Sequence, residues 1–446
     1  MKRFWLFGLF LAGTLVALNA PAFAKDATDS QDSQDMADAM DDVNSALGSM
    51  AIRVSNIEDQ LKLKFFGDVR ARFAFLGQSQ SALPVTSATT IQPQWLARVR
   101  ARLGASKQFG DFSAALRLST GSDNNMLSEN QTLGLESAEK WIGLDQAYLT
   151  WTPSFAMGHF KTTVGKMGNP LTNTPISWDP DPQPEGLLLE GSMDDAKLRA
   201  TYFILNDSSG VTAATNEDLY MAWFQAEQNI KVDADTSVLL TLGYEFVPNV
   251  SALNGTGPLA PGAPSNPTGG AFKTPVNLGM VTKGATGLIP NINTVEGIIG
   301  FKNKIAGIPF KWTLHFMDNL DSFDISPGYT NQYAAYFGIT AGDASDKDTL
   351  AGTLAAGYIE PNATLSLITD DDSGDNNTEY LRGTVVYGIE KGLQLVWNGW
   401  AIDHVYYTGA TAFAGATTGG GATSNGLGKT SRDPEFKSFL DLLATF

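Results

Sequence analysis

The chain has 446 residues, 30 Lys+Arg against 47 Asp+Glu, a formal charge of −17 and no cysteine. An isoelectric point near 4.6 excludes nucleic acid as a partner, because neutralising phosphates takes a basic face. The lack of cysteine removes disulfide frameworks, thiol nucleophiles and Cys-ligated zinc; 17% charged and 43% hydrophobic residues are too apolar for disorder and too polar for a bundle of membrane helices.

Residues 1–24 read as a secretory signal peptide. Lys2 and Arg3 precede an apolar run from Phe4 to Leu18, and Ala22-Phe23-Ala24 is a small-x-small cleavage site. The apolar run is too short to cross a bilayer. Cleavage after Ala24 takes the charge from −17 to −19, since Lys2 and Arg3 are lost.

Residues 25–61 form a different zone. Met36, Met40, Val43, Leu47, Met50, Val54, Ile57 and Leu61 alternate steps of four and three, an a/d heptad pattern that predicts a helical, coiled-coil-like segment. A single amphipathic helix packed on its own chain fits the same pattern, because Gly48, Ser49 and Asn56 weaken a helix.

From residue 62 to 446 the period changes to two. In the first strand Val69, Ala71, Phe73 and Phe75 oppose Asp68, Arg70 and Arg72; in the second Trp95, Ala97, Val99, Ala101 and Leu103 oppose Arg98, Arg100 and Arg102; then Leu116 and Leu118 oppose Arg117. Such alternation marks strands with one apolar and one polar face. Sixteen strands are predicted, at about 62–76, 95–109, 112–119, 143–152, 158–167, 185–191, 195–206, 218–230, 236–246, 294–304, 308–319, 347–358, 362–369, 378–389, 393–402 and 435–446. Tight connections such as Gly110-Asp111, Pro361 and Lys391-Gly392 alternate with long polar ones at 77–94, 120–142, 168–184, 247–293, 320–346 and 403–434. A soluble sandwich has no reason to keep every second connection short. A transmembrane antiparallel β-barrel does, with periplasmic turns and external loops. The last predicted strand ends on Phe446, the ending expected of a client of the outer-membrane insertion machinery.

Residues 95–190 resemble the putative porin family of Gram-negative outer membranes. The resemblance rests on WLARVRARLGA, LSTGSDNN, NQTLG, LDQAYLTWTP, VGKMGNP and the WDPD…EG stretch, and it fades after about residue 250. It implies an outer-membrane diffusion channel, trimeric or monomeric; the long Gly/Pro/Thr-rich stretch 247–293 departs from the pattern.

In a barrel the polar strand faces line the lumen. Arg70, Arg72, Arg98, Arg100, Arg102 and Arg117 therefore form a basic wall on three neighbouring strands, where like charges directly opposed cost roughly 0.2 to 1 kcal/mol per pair. The third long loop carries Asp179 and Asp181, followed by Glu185, among prolines. Facing the basic wall, these acids make a charged constriction; the rival reading pairs the arginines with Asp68 and other barrel carboxylates as a purely structural network. A one-residue slip would turn every arginine toward lipid, at about 2 to 4 kcal/mol each at the bilayer midplane.

His159, His315 and His404 lie on separate segments with no metal-ligand spacing, and no nucleophile–base pair is apparent, so neither a metal, a cofactor nor a catalytic activity is expected. The run Asp370-Asp371-Asp372 lacks the spaced twelfth-position Glu of a calcium loop and reads as a solvated external loop. Trp95, Trp141, Trp151, Trp178, Trp223, Trp312, Trp397 and Trp400 are expected in interface girdles.

The sequence thus predicts a passive, water-filled outer-membrane porin for small hydrophilic solutes and ions, with lipid and lipopolysaccharide around it. A homotrimer, partly held by the heptad segment, is expected, with that segment in the periplasm and peptidoglycan a candidate contact. A substrate-specific uptake channel and a structural tether to peptidoglycan are the alternatives.

Overall fold

The computed structural model describes residues 63–77, 93–121, 128–134, 139–157, 159–206, 219–248, 250, 291–321, 331–374, 376–405 and 435–446. The signal peptide at 1–24 and the helical segment at 25–61 lie outside the described residues.

The strands are β1 (Leu63–Gly77), β2 (Gln94–Phe109), β3 (Phe112–Thr120), β4 (Gln131–Thr132), β5 (Ile142–Trp151), β6 (Phe160–Lys166), β7 (Glu185–Met193), β8 (Ala196–Asn206), β9 (Leu219–Lys231), β10 (Ser237–Val247), β11 (Ile292–Ile305), β12 (Ile308–Asn319), β13 (Tyr333–Gly342), β14 (Leu350–Ile359), β15 (Thr378–Glu390), β16 (Leu393–His404) and β17 (Glu435–Thr445). Each pairs antiparallel with its neighbour and β17 returns to β1, so the sheet closes without an edge. β4 is a two-residue patch on β2, which leaves sixteen strands in the wall. Closure leaves the sheet without a free edge, the condition for crossing a bilayer with β structure.

The alternation holds in the register predicted. Phe73 is 65% exposed on β1 while its neighbour Arg72 is 6% exposed, so the apolar row faces out and the arginine row faces in. Tight turns occupy one end of the barrel. At Ala306-Gly307 both central residues have positive φ (53° and 81°), the type I′ geometry whose twist suits a two-residue hairpin and for which glycine carries no Cβ penalty.

Two predicted elements are exchanged. Residues 333–342, expected inside a loop, form β13; residues 362–369, expected as a strand, belong to the connection between β14 and β15. Strand YAAYFGITAG is built on Ala and Gly, which gives its alternation little amplitude. Ala363, Leu365 and Leu367 do alternate, but this connection turns inward, and each of the three is at most 4% exposed.

That inward turn decides what the lumen contains. The β6–β7 connection (167–184, loop 3) and the β14–β15 connection (360–377, loop 7) both enter the barrel. Leu171 and Trp178 of loop 3 and Leu365, Leu367 and Ile368 of loop 7 pack with inward-facing Phe203, Met221, Trp223 and Ile292. Ile176 and Ala363 join Tyr380, Trp400, Ile402 and Phe439 in a second apolar cluster. At roughly 1.5 to 3 kcal/mol per large side chain removed from water, these contacts hold the loops against the wall. The loops also bond each other directly: Asp179 N–H donates to Ile368 O at 2.6 Å and Asp370 N–H to Pro175 O at 3.3 Å. Trp178, Trp223 and Trp400 are therefore lumenal core residues, 3%, 0% and 3% exposed, and not girdle residues; Trp95, 74% exposed, keeps the outward place expected.

Candidate functional site

The antiparallel register of β1 and β2 sets Arg70 opposite Arg100, Arg72 opposite Arg98, and Asp68 opposite Arg102. Arg117 follows on β3, beside β2. All six arginines stand on the lumenal row, on one wall. Two direct cation–cation oppositions need compensation, and carboxylates supply it unevenly.

Asp68 accepts from Arg100 at 2.9 Å and from Arg102 at 2.5 Å. Asp441 of β17 takes Arg72 through two parallel bonds, at 2.8 and 2.9 Å, the fork geometry that makes guanidinium–carboxylate pairs strong. Arg117 pairs with Asp145 of β5. Glu129, from the β3–β5 connection, lies 3.2 Å from Arg102, 3.7 Å from Arg100 and 3.8 Å from Arg117. Arg70 instead donates to the amide oxygen of Asn130 at 2.7 Å. Arg70 and Arg98 hold no carboxylate at bridging distance among the described residues, and the Nε of each is buried without a partner. The rival structural reading therefore accounts for four arginines of the six.

Across from this wall stand the two inserted loops. Asp181 lies 3.6 Å from Arg100, and Asp372 lies 3.7 Å from Arg72. A cavity of about 80 Å³ is lined by Arg70, Arg72, Arg98 and Arg100 on one side and by Asp179, Asp181, Asp370, Asp371 and Asp372 on the other, with Ser128 and Asn130 at its edge. Asp179 and Asp181 both line this cavity. Glu185 does not: it begins β7 and pairs with Lys166 at 2.7 Å. Strand alternation puts it on the same row as exposed Leu189, so it belongs to the outer face at the rim and leaves the constriction. The sequence missed Asp370, Asp371 and Asp372 as pore groups. Their acidic run was visible, but reading 362–369 as a strand put them outside.

Crowding sets the charge state of the loop acids. Burial, then Asp370, Asp181 and Asp371, push the Asp179 carboxyl up to about 11, so it is neutral at pH 7. Burial and the nearby Asp372 also raise Asp370. Oxygens of Asp179, Asp370 and Asp371 lie within 4.8 Å of one another, the one grouping of cation-ligating spacing among the described residues. Protons shared within the cluster satisfy that crowding.

Glu129 titrates nearer neutrality, lifted to about 7 by burial and by Asp181. Below that pH it is neutral and leaves Arg102, Arg100 and Arg117 less compensated. Anion preference is therefore expected to rise between pH 8 and pH 5, read as a shift of the salt-gradient reversal potential, and Glu129→Gln should abolish the change. The folded barrel holds this proton more tightly than an ordinary Glu at 4.5, so the group's contribution to stability is full at low pH and falls as pH rises through about 4.5 to 7.

A second charged patch lies on β6 to β9: Glu190 bridges Lys161 and Arg199 at 2.9 Å each, and Glu227 lies 3.3 Å from Arg199. Loop 3 is tied beside it, since Thr172 donates to Gln225 and to Glu227. Further along, Glu296 accepts from Trp223 and lies 3.0 Å from His315 Nε2, while His315 Nδ1 meets Thr174 Oγ1. These bonds fix the height of loop 3 in the lumen.

Comparison with known proteins agrees with this architecture. The model of the family described as "Putative porin" matches residues 73–252. No curated protein matches the chain in sequence. Among solved structures, OprB of Pseudomonas putida is similar at a TM-score of 0.50 with 12% identity, covering 86% of this chain and 94% of that one. OmpT of Vibrio cholerae, in a trimer form, gives 0.43 with 10% identity over 86% and 99%. A mutant of the Rh. blastica porin gives 0.40 with 9% identity over 86% and 100%. The first supports the barrel fold alone, and the other two carry no weight beyond the likeness itself. A closed sixteen-stranded barrel, together with the match of residues 73–252 to the putative porin family, supports an outer-membrane porin channel.

Proposed function

We propose that the channel passes small hydrophilic solutes and ions passively, through a water-filled path narrowed between the arginine wall and the carboxylates of loops 3 and 7. The observation that carries this is the cavity with four arginines on one side and five aspartates on the other. Opposed charges in low-dielectric surroundings set up a transverse field, which orders dipolar solutes and sieves by size and charge. A substrate-specific channel is the second reading, favoured by the smallness of the gap and the apolar packing that fixes both loops. A tether without a pore has no use for a charged gap.

The long loops are assigned to the outside, facing lipopolysaccharide, and the tight turns and residues 25–61 to the periplasm, with peptidoglycan a candidate contact there. A homotrimer is proposed, partly held by the heptad segment; light scattering in mild detergent should give three chains per particle, and one chain would contradict it. For the channel itself, purified protein added to a planar lipid bilayer should give discrete open steps of small conductance. A bilayer that stays closed across repeated insertions contradicts the reading.

A further inference from the structure

Four of the wall's six arginines pair with fixed carboxylates. The other two, Arg70 and Arg98, have no carboxylate at bridging distance among the described residues. Both line the small cavity, Arg70 with one bond to Asn130 and Arg98 with none to a described side chain, and the Nε of each is buried without a partner among the described residues. A buried guanidinium N–H without an acceptor is costly, and the two guanidinium side chains that carry these groups line the same space. Asp371 and Asp372 lie within electrostatic reach of Arg98 from the other side. The space, about 80 Å³, suits a few waters or one carboxylate-sized group at about 30 Å³ per water.

Resting on the porin reading, we propose that Arg70 and Arg98 form a binding site for the carboxylate of a small zwitterion of the α-amino-acid class, whose ammonium group turns toward the aspartates of loops 3 and 7. Guanidinium binds carboxylate through paired, charge-assisted N–H···O bonds. A simple anion would meet the aspartates with like charge, and a simple cation would meet the arginines. A solute bearing both charges lies along the field and satisfies both walls. Transport through such a site saturates, because the site must empty before the next solute enters.

The test is block of KCl current through single channels at pH 7, with glycine, acetate and acetamide as probes on the wild-type protein. Glycine should reduce the current saturably, acetate should need at least about tenfold more, and acetamide should do nothing at the same concentrations. Arg70→Gln with Arg98→Gln should raise the half-blocking concentration of glycine by at least about tenfold, while the variant's own open steps in KCl report that it is folded. Open steps that glycine leaves unblocked, or a glycine block no stronger than that by acetamide, would overturn the site and leave the porin reading standing. An acetate block equal to that by glycine would overturn the zwitterion assignment. Absence of open steps in the wild type would overturn the porin reading and the site with it.

Discussion

Replacing residues 361–376 of loop 7 with a short Gly-Ser turn should raise single-channel conductance severalfold. Conductance is governed by the narrowest section, and this loop supplies one wall of the 80 Å³ gap through Asp370, Asp371 and Asp372. It also fills the lumen beside it with Leu365, Leu367 and Ile368. The closed strand ladder does not depend on those residues, because β14 and β15 pair along Leu350–Ile359 and Thr378–Tyr387. The shortened protein should therefore keep the shift between boiled and unboiled gel mobility that marks a folded barrel. Its melting temperature should fall, since the apolar partners in loop 3 and on β8 to β11 would face water. A less disruptive variant, Leu365→Asp with Leu367→Asp, should release the loop and move conductance the same way. Unchanged conductance in both would mean that loop 7 stands clear of the permeation path.

Changing Arg98, Arg100 and Arg102 together to Ala should widen the pore and move its preference from mildly anionic to cationic. Wild-type selectivity is set locally, because charges on the outer loops are screened within about 8 Å at physiological salt. The substitution strips Asp68 of both its partners and leaves Asp181 and Glu129 without Arg100 and Arg102. Breaking a buried pair costs about 3 to 5 kcal/mol, so the barrel should also unfold at lower denaturant. The opposite shift, further toward anions, is expected of Asp181→Asn. Asp179→Asn should leave the reversal potential nearly unchanged at pH 7, because burial and its acidic neighbours keep that carboxyl protonated up to about 11. A triple variant with wild-type conductance and reversal potential would remove the basic wall from the path.

The barrel was legible because its pattern is simple. Alternation such as Val69-Arg70-Ala71-Arg72-Phe73 fixes which row meets lipid and which meets water, and the cost of an arginine in lipid fixes the register. The arginine row followed from the same rule, and the loop acids Asp179 and Asp181 from their place in the third long connection. Period-two reading fails where a chain buries alternate residues without joining the sheet, and loop 7 is such a place: Ala363, Leu365 and Leu367 pack on the lumenal core with the spacing of a strand. It fails in the other direction at β13, whose Ala and Gly residues give almost no contrast between faces. Glu185 shows a third limit. Nearness in sequence to Asp181 suggested a shared role, but entry into β7 turns its side chain to the outer row. Asp441 comes from β17, which only closure of the sheet brings beside β1, and Asp145 sits at a register bulge of β5 opposite Arg117.

Cysteine accessibility tests the central claim most directly, because the natural chain contains no cysteine and one introduced thiol reports without background. In Arg98→Cys, a small anionic methanethiosulfonate added during single-channel recording should lower the current in one irreversible step per channel, and dithiothreitol should restore it. The same reagent on Val69→Cys, which faces outward at 46% exposure, should change nothing. A current through Arg98→Cys that the reagent leaves untouched, while the unfolded protein is fully modified, would place the arginine wall outside the permeation path and contradict the account.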